Sequence, residues 1–303
     1  MNQLSVKADF IPGDVWIYYK IYTGYNTSDT ILTELIRPMV TTLLQEKLIS
    51  EWFFIRYGDP DHHLRIRFKM TDNLHLSAII QLFNRYIQPY LANNLIWKIQ
   101  LDTYKRELDR YAPQLIEHAE RIFFIESEMI VNAISVIEES GDPNLRWLFG
   151  VYTIDAMLEG FKLEEETRLK LLSNLKDSFE TEFNMDKQGK KLLADKFRKH
   201  RKEIDNFLDK ETNHETIQHL HQLAAQKNQH LAPVYEDIIV KMNNSEGVMQ
   251  LLSSYIHMLM NRLFRSKNRQ NETVAYFLLF SHYRSSLARK KAKKPVKDKI
   301  VAN

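Results

Sequence analysis

The chain has 303 residues, 44% hydrophobic and 27% charged, with a net charge of +3 and no cysteine. That length supports a sizeable buried core, while the missing cysteines exclude disulfides, thiolate metal sites and a cysteine nucleophile. Part of the positive charge lies in residues 289–299, RKKAKKPVKDK; without them the body is near neutral and lacks a general nucleic-acid footprint.

The opening MNQLSVKADF has no charged start followed by an apolar core, and no apolar run approaches a membrane span, so a soluble cytoplasmic protein is expected. Residues 15–22, VWIYYKIY, are aromatic and β-branched and predict a strand. A helix follows, with Ser28 or Asp29 as N-cap, a stripe running from Ile31 to Leu44, and a kink at Pro38. Trp52–Tyr57, the turn Gly58-Asp59-Pro60-Asp61 and Leu64–Met70 predict a β-hairpin. In its second strand Leu64, Ile66, Phe68 and Met70 share one face, and Arg65, Arg67 and Lys69 the other. That second face is either a solvated edge or a cradle for something anionic.

Ile79, Ile80, Phe83 and Ile87 predict an amphipathic helix ending near Pro89, and Leu95, Trp97, Ile99 and Leu101 a half-buried strand. From Pro113 on, helical patterns cover 114–138, 144–162, 165–179, 187–208, 212–225, 231–242, 245–265 and 269–290, with breaks at Gly141-Asp142-Pro143 and Gly160. The fold class is therefore α+β: a small, mainly antiparallel sheet with helices in the N-terminal third (15–112), then a mostly helical remainder (113–288). The basic segment 289–303 is expected to be disordered.

Chemistry-bearing residues gather in two further places. Glu107 and Arg110, in DTYKRELDRY, share a face if helical, as an ordinary pair or as two groups converging on a pocket. His257 sits in LLSSYIHMLMNRLF, a helix apolar nearly all round, either as a buried structural histidine or as a proton-transfer group. His214, His219 and His221 lie in a polar stretch with neither HExxH spacing nor an acidic third ligand, so a metal site is not expected.

Taken together, WFFIRYGDPDHHLRIRF, YKRELDRYAP and SSYIHMLMNRL resemble the C-terminal domain of lantibiotic dehydratases, the thiopeptide-type bacteriocin biosynthesis domain. WIYYKIYTG, IFFIESE, WLFGVYTIDAML and ETVAYFLLFSHYRSS extend the resemblance from about residue 15 to 287. It implies one elimination-type domain over 1–288 that removes glutamate from glutamylated serine or threonine of a ribosomally made precursor peptide, leaving dehydroalanine or dehydrobutyrine. By motif, Arg65, Arg67, Arg110 and His257 correspond to the family's elimination residues, with Glu107 and His63 supporting. Glu126 departs from the family's more usual aspartate.

No cofactor or metal is implied. The expected partners are the precursor peptide and a separate tRNA-dependent glutamylating subunit, since the length leaves no room for that activity; this chain would itself need no tRNA, and a homo-oligomer is possible. Two alternatives remain open. One is a [4+2] cycloaddition forming the pyridine of thiopeptides, and the other a non-catalytic subunit binding a leader peptide along an exposed strand edge.

Overall fold

The computed structural model describes residues 6–209 and 212–293. A short strand β1 (Asp9–Phe10) leads into β2 (Trp16–Thr23), whose residues are nearly all buried. The helical stretch that follows is α1 (Thr27–Thr30), a π segment (Ile31–Ile36) and α2 (Arg37–Gln45). Where a kink is predicted at Pro38, a widened π turn runs into the proline instead, which suits a residue without an N–H and with a ring that crowds the preceding turn. Neither Ser28 nor Asp29 caps the helix. Both are buried inside it, because a guanidinium from the sheet needs them: Arg56 Nη1 donates to Ser28 Oγ and Nη2 to Asp29 Oδ1, each at 2.5 Å.

The predicted hairpin is β3 (Ile49–Tyr57) and β4 (His63–Met70); α3 (Leu76–Ala92) and β5 (Ile96–Leu101) follow. The four strands form an antiparallel sheet in the order β3-β4-β2-β5. Leu64, Ile66, Phe68 and Met70 are buried, as the two-residue alternation requires. They share a core with the helices, where Tyr19 stacks on Phe83 of α3 at 4.0 Å. Each such side chain contributes about 1.5–3 kcal/mol on burial.

Two expectations fail here. α3 runs three residues past Pro89, and Ile80 is exposed because only Ile79, Phe83 and Ile87 lie on the inward stripe. In β5, Trp97 and Leu101 are 53% and 43% exposed. Leu101 and Ile99 lie opposite Tyr19 and Ile21 in the register, on the core side, but at a sheet edge that nothing covers fully.

A second small sheet pairs β1 with β6 (Tyr104–Lys105), and a single turn α4 (Leu108–Tyr111) follows. The helical remainder comprises α5 (Ile116–Ser140), α6 (Leu145–Gly160), α7 (Glu165–Glu182), α8 (Lys187–Leu208), α9 (Glu215–Met242), α10 (Ser245–Leu263) and α11 (Asn268–Lys293). The two helices expected over 212–242 are one. Leu220, Ala224, Lys227, Leu231, Tyr235 and Ile238 make an unbroken buried stripe that carries α9 through the polar run 226–230 and past Pro233. The start of the basic segment expected to be disordered, through Lys293, continues α11; the rest lies outside the described residues. No described helix is long and apolar enough to cross a membrane.

The β3 edge of the sheet is closed by side chains. Asn261 accepts from Arg56 N and donates to Arg56 O, both at 2.9 Å; Arg262 Nε donates to Phe54 O, and Ser127 Oγ accepts from Phe54 N. This edge therefore offers no free backbone at Phe54 or Arg56 to a pairing peptide.

Candidate active site

The register places the charged face of β4 between two strands. Arg67 lies opposite Phe53 and Tyr18, Arg65 opposite Ile55 and Lys20, and His63 opposite Tyr57 and Tyr22. Strand side chains point alternately to the two faces, so these form three rows across one face of the sheet. The turn carrying β6 and α4 borders that face, as does α10.

Arg67 is only 7% exposed, although the bare pattern allowed a wet face. Its guanidinium sits 4.5 Å from the Tyr18 ring, 4.7 Å from Tyr104 and 5.0 Å from Phe53, and its Nε has no hydrogen-bond partner. Burial pulls the group below its ordinary pKa against the opposing influence of Tyr104 and Tyr18, yet an arginine so placed remains cationic at working pH. A buried cation held by aromatic faces and lacking a carboxylate is arranged to receive an anion.

Arg65 lies flat on the Tyr57 ring at 3.4 Å, and its Nε donates to His63 Nε2 at 3.1 Å. His63 Nδ1 donates to the Asp61 carbonyl at 2.8 Å. Burial lowers the His63 pKa, with Arg65 and Lys20 adding to it against the Asp61 bond, so the neutral ring accepts from Arg65 and fixes it. Glu107 precedes α4 and its Oε2 accepts from Arg110 Nη1 at 3.0 Å. The next residue but one after Arg110, Ala112, has φ +57°, a strained value for a residue with a Cβ.

His257 is half-buried rather than enclosed, with its side chain 26% exposed. Its Nδ1 donates to Glu272 Oε1 at 2.8 Å, a fully buried carboxylate on α11. Because the carboxylate only accepts, the other ring nitrogen is left to face outward.

These side chains line one cleft of about 490 Å³: Arg65, Arg67, Arg110, Glu107 and His257, together with Tyr18, Lys20, Tyr57, Asp102, Lys105 and Asn261. His63 is absent from the lining and touches the cleft only through its hydrogen bond with Arg65. Of the six cations, Arg56 is matched by Asp29, Lys20 by Asp102 and Arg110 by Glu107. Arg65, Arg67 and Lys105 have no ion pair among the described residues, which leaves the cleft cationic and chemically suited to a carboxylate or a comparable anion.

The motifs did not single out Glu272, fifteen residues from His257, or the rings of Tyr18, Tyr57 and Tyr104 that hold the arginines. The only signal for Glu272 is its place at the head of ETVAYFLLF. His221 turns inward: its Nε2 donates to the Phe207 carbonyl and its ring stacks on Tyr152.

Behind the cleft, Glu126 accepts from Arg262 at 3.0 Å, with both side chains fully buried, and Lys227 lies near them. Burial raises Glu126 to about 7 despite Arg262 and Lys227, and lowers Lys227 to about 8. A lysine whose folded pKa is depressed weakens the fold while it is charged. Lys227→Met is therefore expected to raise stability at pH 7 by about 1–3 kcal/mol in urea unfolding. That gain should shrink as pH rises from about 8 towards 10.5, where the folded wild type has shed its proton. A variant less stable than wild type at pH 7 would contradict this account.

Residues 16–283 match the family model described as "Lantibiotic biosynthesis dehydratase C-term". The chain is 24% identical over 264 residues, 84% of its length, to the subtilin biosynthesis protein SpaB of Bacillus subtilis. It covers 24% of that protein, and so spans about a quarter of the length of the curated relatives it matches. The fold is shared with the tRNA-dependent lantibiotic dehydratase MibB of Microbispora sp. 107891, at TM-score 0.65 and 16% identity over 92% of this chain and 29% of that one. It is likewise shared with TbtD, a pyridine synthase from thiomuracin biosynthesis, at TM-score 0.64 and 12% identity over 91% of this chain and all of that one. With the family match spanning nearly all the described residues, the chain belongs to the family formed by the C-terminal regions of lantibiotic biosynthesis dehydratases.

Proposed function

We propose that the cleft carries out the glutamate-eliminating step of peptide dehydration on O-glutamylated serine or threonine of a precursor peptide. A base removes the Cα proton, the Cβ–O bond breaks, glutamate leaves as a carboxylate, and the Cα–Cβ double bond remains. Negative charge grows on the leaving carboxylate and on the carbonyl beside Cα, and preorganised cations stabilise both. The observation that carries this reading is the pair Arg65 and Arg67, fixed by Tyr57, His63, Tyr18 and Tyr104 and left without a carboxylate. Arg110, tethered by Glu107 at the mouth, is placed to engage a second anionic group. His257, oriented by Glu272, is the group suited to move the proton.

Mass spectrometry of a glutamylated precursor peptide incubated with the protein tests this directly. The expected product has lost one glutamic acid per modified residue and retains the dehydrated residue. His257→Ala is expected to slow that loss by about 10²–10⁴-fold with the fold intact, since the ring is partly exposed. Turnover near wild type in His257→Ala would remove it from the mechanism.

Pyridine-forming cycloaddition is the second reading, favoured by the fold shared with TbtD. It involves no glutamate, and the carboxylate-free arginines argue against it. A peptide that already contains dehydroalanines, converted to a ring by this protein, would favour it over elimination.

A further inference from the structure

A second concavity, of about 350 Å³, adjoins the cleft, and Arg56 and Tyr57 line both. Three aromatic side chains wall it while remaining open to solvent: Tyr25 at 48%, Tyr57 at 40% and Phe183 at 40% exposure. Tyr57 is a fixed partition between the two spaces, because Arg65 lies against its ring at 3.4 Å from the cleft side. Most of the cations on the rim are paired: Arg56 with Asp29, Arg265 with Asp29 and Glu138, and Arg269 with Glu182 and Glu272, while Lys267 has no ion pair among the described residues. What this hollow offers is therefore aromatic surface, unlike the anion-seeking cleft beside it.

We propose that this hollow is a specificity subsite for an apolar side chain of the substrate peptide, flanking the residue whose glutamyl group enters the arginine cleft. The proposal rests on the elimination reading of the cleft, and the occupant follows from continuity: a peptide engaged at Arg65 and Arg67 must leave past Tyr57. An extended chain advances about 3.3 Å per residue, and because Arg56 and Tyr57 wall both spaces, the side chain that reaches the hollow is a near neighbour of the glutamylated residue. An apolar residue there covers exposed rings, and a glycine gains nothing comparable.

The experiment uses synthetic peptides with one O-glutamyl serine, alanine elsewhere, and a phenylalanine moved in turn through the flanking positions. A parallel series carries the glutamate through an amide, which cannot eliminate, so that affinity is read without turnover. For the wild-type protein, one or two positions are expected to raise kcat/KM and tighten binding of the amide series by about tenfold. Phe183→Ala and Tyr25→Ala should each remove most of that preference, leaving turnover of the all-alanine peptide unchanged. Melting temperatures confirm that each variant is folded, and either variant alone suffices.

A flat profile in the wild type, or a preference that survives both substitutions, overturns the subsite while leaving elimination standing. Position-dependent binding of the amide series that is lost in Phe183→Ala, with no glutamate released from any ester, upholds the subsite and overturns the elimination reading.

Discussion

Replacing Arg67 by methionine is expected to lower kcat/KM for glutamate release by about 10³-fold, the cost of losing one preorganised donor to developing charge, without lowering the melting temperature. The two halves of that result have one cause. Arg67 is buried, has an unpartnered Nε and has no counter-ion among the described residues, so in the substrate-free protein it costs more than it contributes. A methionine of similar reach keeps contact with Tyr18, Phe53 and Tyr104 and removes the desolvated charge. Arg67→Lys should recover little activity, because a compact ammonium presents neither the flat fork that grips a carboxylate nor the plane that lies among rings. Single-turnover glutamate release and thermal unfolding decide the matter. Near-normal turnover in Arg67→Met would show that the anion site is not used, and a collapse in stability would make Arg67 a structural residue.

Asp29→Asn is expected to be the most damaging single change to the fold. Its carboxylate accepts from Arg56 and Arg146 at 2.5 and 2.6 Å and also from Arg265, joining α1, β3, α6 and the segment after α10. Burial pushes the Asp29 carboxyl upward, but the three guanidinium groups overcome it and hold the pKa below the usual carboxylate value. Removing one partner of a buried pair costs about 3–5 kcal/mol, and here three cations lose the same partner. Because the folded pKa is depressed, the stability that Asp29 supplies is complete above the unfolded value of 3.8 and lost as pH falls through the folded one. The variant should therefore lose its midpoint in urea at neutral pH and show a flatter acid limb. A change below about 1 kcal/mol would mean that the three arginines find other acceptors.

Local features were the legible ones. The alternation of Arg65 and Arg67 with Leu64, Ile66 and Phe68 follows from strand geometry alone and places both arginines on one face. Whether that face is wet depends on Tyr104, Glu107 and His257, which arrive from other segments, and no periodicity in β4 predicts them. The helix pattern leaves His257 as either a structural histidine or a proton-transfer group and the resemblance decides between them; neither extends to Glu272, whose contact with His257 exists only once α10 and α11 are packed. Asp29 looked like a cap because an aspartate near a helix start usually is one; its partners lie 27, 117 and 236 residues away. Lys227, in a run of polar residues, gives no local sign of facing inward, so the pattern predicts a break where α9 is continuous.

The closure of β3 by Asn261, Arg262 and Ser127 bears on how the molecule can associate. A sheet with two open edges is divalent and can add neighbours at both ends without limit. In this sheet the β3 edge is taken at Phe54 and Arg56, whereas the outer side of β5 carries no further strand and is bordered by the exposed Trp97 and Leu101. Two copies joined β5 to β5 would each use the other's uncapped edge, and further growth through the sheet would have to pass the capped positions on β3, which favours a pair over a fibre.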